Sequence, residues 1–189
     1  MSISPSERAP GRTVVIGVGN PLLGDDGLGL AALEQLRERW ALPSAVDLVD
    51  GGTWGLSLLP AIEDATRLLL LDAIDVGAAA GTAVEISREQ LPRYLASKLS
   101  PHQIDLSDVF AVAELRGTMP RTAMALGVQP ARVELRDGLT DVVDAQLEDL
   151  VLRAVTVLTH WGHACAERGA ADRSGGYARA CVTQARNAE

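Results

Sequence analysis

Aromatic residues are scarce, with three Trp, two Tyr and one Phe among 189 residues. So few rings leave no stacking platform for single-stranded nucleic acid. Excess positive charge is missing too: the formal net charge is −8 at pH 7, the wrong sign for gripping a phosphate backbone. No apolar run approaches a membrane span, the longest lying around "RLLLLDAI". Cysteine is limited to Cys165 and Cys181, with no Cys-x-x-Cys pair, and free thiols in a reducing compartment are expected. The N-terminal "MSISPSERAPGR" has no hydrophobic signal core, so residues 1–11 are expected to be a disordered leader on a cytoplasmic protein. Neither nucleic acid nor membrane is an expected partner. A monomer is expected as well, since no exposed apolar stripe is evident.

What is present suits one globular domain. The chain is 47% hydrophobic and 22% charged, with no internal repeat and no dividing linker. Its segments alternate in period. "RTVVIGVG", "AVDLVD", "RLLLLDAI", "GTAVEIS" and "RTAMALGV" read as strands, the third apolar enough to be covered on both faces and the fourth at an edge. Between them, Gly29, Leu33, Leu36 and Trp40 mark one amphipathic helix, and Leu106, Val109, Phe110 and Ala113 mark another. "GGTWGLSLLPAIEDA" reads as a turn and short helix, and two prolines between Arg88 and Gln103 interrupt any long one. The longest helix starts near Thr140, with Val143, Leu147, Leu150, Val151, Ala154 and Leu158 inward. The expectation is a three-layer α/β/α sandwich over residues 12–167 with a doubly wound, mostly parallel twisted sheet of about five strands. Residues 168–189, rich in Ala, Arg and Gly without periodicity, are expected to be a disordered tail.

Ligands of such sheets collect at the carboxyl ends of the strands. There the sequence places carboxylates: Asp25 and Asp26 after the first strand, Asp50 at the end of the second, Asp72 at the end of the third with Asp75 close behind. A lone Asp after a strand commonly caps a turn. Several converging ones repel unless a cation, a proton or a basic group joins them. His102, in the loop "LSPHQIDLSD", would complete with Asp26 and Asp72 a nitrogen-and-oxygen set suited to nickel or zinc. His160, His163 and Cys165 in "THWGHACAE" imitate a metal cluster, but they fall at the last turns of the final helix and are expected to form an exposed helix end.

The glycine turn "GVGNPLLG" invites a nucleotide reading, yet it lacks the third glycine of Gly-x-Gly-x-x-Gly and any Gly-Lys-Ser/Thr. Asp50 could imitate a ribose-binding acid, but Asp25 and Asp26 would face the pyrophosphate with like charge. No Gly-x-Ser-x-Gly elbow supports a serine nucleophile. A small-molecule binder resting on the glycine turn and Asp50, and a non-catalytic nickel chaperone holding the metal through Asp26, Asp72 and His102, are two readings of these residues.

"GVGNPLLGDDGLG", "DGGTWGLSLL", "LLLLDAID", "SPHQIDLSDVFAVAEL" and "MALGVQP" stand in the same order, with matching intervals, as in the hydrogenase maturation endopeptidases. The chain resembles that family from about Val14 to about Leu158. The resemblance implies an α/β protease that removes a C-terminal peptide from the precursor of a nickel–iron hydrogenase large subunit once nickel is inserted. It puts the metal-contacting residues on Asp26, Asp72 and His102, with nickel brought by the substrate rather than kept as the enzyme's own cofactor. Either Asp26 or Asp72 could act as a base. Gly19, Asn20, Asp25, Gly27, Asp50, Gly51 and Gly52 would shape the cleft, Asp25 by capping the helix or forming the turn. Some family members carry Glu in place of Asp26, a side chain longer by one methylene.

Overall fold

A computed structural model describes residues 11–52, 55–97 and 106–169. The expected leader up to residue 10, the tail from residue 170 with Cys181, and His102 lie outside the described residues. The chain runs β1 (Thr13–Val18), α1 (Leu28–Arg39), β2 (Trp40–Ala41), β3 (Val46–Gly52), α2 (Leu59–Glu63), β4 (Arg67–Ala73), β5 (Ala83–Ser87), α3 (Leu91–Ser97), α4 (Leu106–Arg116), β6 (Thr122–Val128), α5 (Asp141–Asp144), α6 (Leu147–His160) and β7 (Ala166–Glu167).

Five strands form the central sheet in the order β3-β1-β4-β6-β5. All neighbours are parallel except β5, which runs antiparallel to β6 at the edge. Alternation along the strands feeds two cores. Val14, Ile16, Leu68 and Leu70 point to one side, under α2, α3 and α4. Val15, Leu69 and Leu71 point to the other, under α1, α5 and α6. This is the three-layer doubly wound α/β fold expected from the alternating segments. Among the described residues no helix is long and apolar enough to cross a membrane.

Some local details differ from the periodicity. Trp40 packs against the same core as Leu33 and Leu36 but lies beyond the helix; its backbone is extended, and it opens a strand pair with β7. A seven-residue helix, α3, forms in the segment with two prolines, because Pro92 sits in its first turn where no helical N–H is needed. The long C-terminal helix is broken at Ala145 and Gln146 into α5 and α6.

Candidate functional site at the carboxyl ends of β1 and β4

From β1 the chain crosses to β3 on one side, then to β4 on the other. The winding therefore reverses between β1 and β4, and the crevice of an open α/β sheet lies there. Helix α1 starts directly over it. A Cβ added at Gly29 would lie 2.2 Å from the Leu71 carbonyl oxygen and 2.4 Å from that of Val18. Only a residue without a side chain lets the helix seat so closely on both strand ends. The preceding 3-10 turn, Asp25–Gly27, thus packs beside the end of β4.

The turn between β1 and α1 holds Asp26 by local bonds. The backbone N–H of Asn20 donates to Asp26 Oδ2 over 2.8 Å. Asn20 Oδ1 accepts from Leu22 N–H at 3.0 Å, closing an Asx-type turn. Gly19 has φ +123°, and a Cβ there would lie 1.8 Å from the Asp26 carbonyl oxygen. Its N–H donates to Gly52 O, tying the turn to the end of β3. Gly27 and Gly51 are buried, Gly52 is half-buried, and Asp50 is exposed opposite Gly17. Asp26 is half-buried at the start of the helix.

Asp72 is buried at the end of β4 and accepts a 2.6 Å hydrogen bond at Oδ2 from the hydroxyl of Tyr94 on α3. Tyr94 belongs to no motif in the sequence. Its available sign was the i, i+3, i+4 stripe of Leu91, Tyr94 and Leu95 inside a polar segment. Asp26, in the turn that follows β1, and Asp72, at the end of the neighbouring β4, thus both lie toward the carboxyl edge of the sheet. Asp75 serves its own loop instead. Its Oδ1 accepts from Gln129 Nε2 at 2.9 Å and from Gly77 N–H at 3.0 Å, and these bonds, Gln129 first, lower its pKa. Among the described residues, no three His, Cys, Asp or Glu side chains gather into a metal-binding cluster.

Two expectations are corrected. Asp25 does not cap α1: it opens the turn, its backbone carbonyl accepting from Leu28 N–H, but its carboxylate leaves the turn altogether. Its carboxylate is 0% exposed and accepts from Ala131 N–H (2.8 Å), Arg132 N–H (2.9 Å), Thr140 N–H (2.7 Å) and Thr140 Oγ1 (3.0 Å). Burial pushes its pKa up, but the donors from Thr140, Arg132 and Ala131 together outweigh burial and hold it below the ordinary value. His163 is not part of an exposed helix end. Helix α6 stops at His160, the chain turns at Gly162 with φ +91°, and His163 folds inward to 2% exposure. Its Nε2 lies 2.7 Å from Thr13 Oγ1, at the opposite end of β1 from the crevice. His160 is exposed, as expected, and Cys165 carries a free, half-buried thiol.

Comparison with known proteins identifies a set of relatives. Residues 30–157 match the family model described as hydrogenase maturation protease. The chain is 40% identical over 155 residues to the hydrogenase expression/formation protein HupD of Rhodobacter capsulatus, covering 81% of this chain and 74% of that protein. It is 36% identical over 152 residues to the hydrogenase 2 maturation protease of Escherichia coli, covering 80% and 93%. Among solved structures, the hydrogenase maturating endopeptidase HybD of E. coli superposes with a TM-score of 0.79 at 35% identity, over 83% of this chain and 98% of that one.

Proposed function

Since the chain belongs to the hydrogenase maturation protease family, we propose that it is the endopeptidase that removes a C-terminal peptide from the nickel-loaded precursor of a nickel–iron hydrogenase large subunit. What supports this reading is the position of Asp26 in the turn after β1 and of Asp72 at the end of the neighbouring β4, with Gly29 of α1 seated against both strand ends. Carboxylates brought together there would be joined by a cation, and on this reading the substrate brings it. Nickel is cargo: ionised Asp26 and Asp72 and a neutral His102 would grip it, leaving metal-free precursor weakly held.

The two carboxylates are already oriented. Asn20 N–H engages Oδ2 of Asp26, and the Tyr94 hydroxyl engages Oδ2 of Asp72. Fixed carboxylate planes reduce the ordering needed when the metal arrives. Asp72 is closed off from solvent, whereas Asp26 is half-open. Asp26 is therefore the better placed of the two to take a proton from an attacking water.

The direct test mixes the protein with nickel-loaded and nickel-free precursor and follows the size of the large subunit. Shortening of the loaded form alone is expected. Cleavage of both forms would remove nickel recognition, and cleavage of neither would remove the protease assignment.

A further inference from the structure

Asp25 and Asp26 are adjacent, but their carboxylates serve different parts of the molecule. Asp26 bonds within its turn, whereas Asp25 reaches the loop that follows β6, more than a hundred residues away. That loop and the Asp26 turn are stitched together along their length. Leu23 pairs with Arg136 and Gly24 with Val133. Arg136 N–H donates to Leu22 O over 3.1 Å, and Asp25 N–H to Arg132 O over 3.2 Å. Gly24 has φ +62°, and a Cβ there would lie 2.9 Å from Arg136 Cγ, so only glycine allows this approach. Beneath the seam, the Asp25 carboxylate gathers both ends of the loop, Ala131 and Arg132 at one and Thr140 at the other.

The two segments of this seam expose three large apolar side chains: Leu135 at 83%, Leu22 at 66% and Val133 at 54%. Single exposed apolar residues are ordinary. These three, however, lie on two segments bonded to each other, and one of those segments carries Asp26. They lie on the turn that carries Asp26 and on the loop bonded to it, beside the path of a protein substrate presented to Asp26.

We propose that Asp25 is a positioning residue: it locks the 131–140 loop onto the Asp26 turn, so that Leu22, Val133 and Leu135 form a preset rim on which the precursor protein docks in register with Asp26. This inference rests on the protease reading above. A rim ordered before the encounter loses less freedom on binding than a mobile loop would.

Cleavage of nickel-loaded precursor, followed over a range of precursor concentrations, tests it. Leu135→Ser should raise KM about tenfold with kcat within about twofold, the mark of lost docking. Asp25→Asn should raise KM to a similar extent and also lower kcat, because both the rim and Asp26 are released. In the Asp25→Asn background, Leu135→Ser should change KM by less than about twofold, since the rim is already lost. An Asp25 that merely stabilises the fold would lower Tm and leave KM unchanged, or give multiplying effects in the double variant; either result overturns the proposal. If Asp25→Asn does not fold, Thr140→Val removes one of the four donors and keeps the backbone bond. A KM raised about threefold in that variant supports the proposal, and an unchanged KM overturns it. If the wild-type protein leaves the precursor uncut, the protease reading fails by itself. Docking is then read as Kd for intact nickel-loaded precursor: about tenfold weakening by Leu135→Ser supports the rim, and equal Kd overturns it.

Discussion

The hydroxyl of Tyr94 donates to Asp72 Oδ2 across 2.6 Å, joining α3 to the end of β4 over 22 residues of chain. Both groups are buried. Leaving a buried acceptor without its donor costs roughly 1–3 kcal/mol. Tyr94→Phe keeps the ring in the core and removes only the donor. We expect unfolding stability to fall by about that amount in a urea titration. Precursor cleavage should fall about tenfold, because the Asp72 carboxylate loses the group that orients it. Unchanged cleavage in a Phe variant would show that Asp72 is oriented without Tyr94.

Asp26→Asn should behave differently. The side chain is half-exposed at the surface of its turn, so its replacement should change stability by no more than about 0.5 kcal/mol. Cleavage of nickel-loaded precursor should nevertheless drop by about 100-fold or more, since both a metal-gripping charge and a proton acceptor are lost. His102→Ala should show the same pattern. Wild-type processing in both variants, measured by the size of the large subunit, would sink the site assignment.

Gly29→Ala tests the wedge of α1 over the strand ends. The added Cβ would meet two backbone carbonyl oxygens, of Leu71 and Val18, neither of which can rotate away. The helix must lift, and overpacking of this kind costs typically about 1–3 kcal/mol, occasionally more. Because the same lift carries Asp26 away from Asp72, cleavage should fall further than stability explains. A Gly29→Ala variant with native unfolding and native cleavage would show that the approach is softer than the geometry implies.

What was legible in the sequence follows from how local each feature is. The strands β1, β4 and β6 were readable because burial on both faces leaves continuous apolar runs, and α4 because its inward residues keep helical spacing. Asp26 and Asp72 were readable as strand-end carboxylates. The partner of Asp25 was not, because its donors lie at 131, 132 and 140 and nothing near Asp25 in sequence announces them. Tyr94 was hidden for a related reason: within a polar segment a single Tyr gives no sign that its hydroxyl will meet a carboxylate. His163 was misplaced because continuing the helical period past His160 ignores the turn at Gly162, and its burial depends on Thr13, 150 residues away.

That buried histidine sets a pH dependence of stability separate from the carboxylates. Burial lowers the pKa of His163, and the charge of Arg67 lowers it further. In the unfolded chain the group titrates near about 6.5, so below that pH the unfolded state binds more protons than the folded one. Stability from this source is therefore complete above about pH 6.5, declines as pH falls below it, and levels off once the folded-state pKa is passed. Asp25 and Asp75 also have lowered pKa values, but as carboxylates their contributions persist until the pH falls below about 4. The two windows can be separated in one experiment. Thermal unfolding followed from pH 7.5 down to 5 should show a falling Tm in the wild-type protein. His163→Gln, which keeps a hydrogen-bonding group beside Thr13 Oγ1 and cannot take up a proton, should show a flatter profile over that range. Parallel profiles for the two proteins would mean that His163 takes up its proton within the fold as readily as in the unfolded chain.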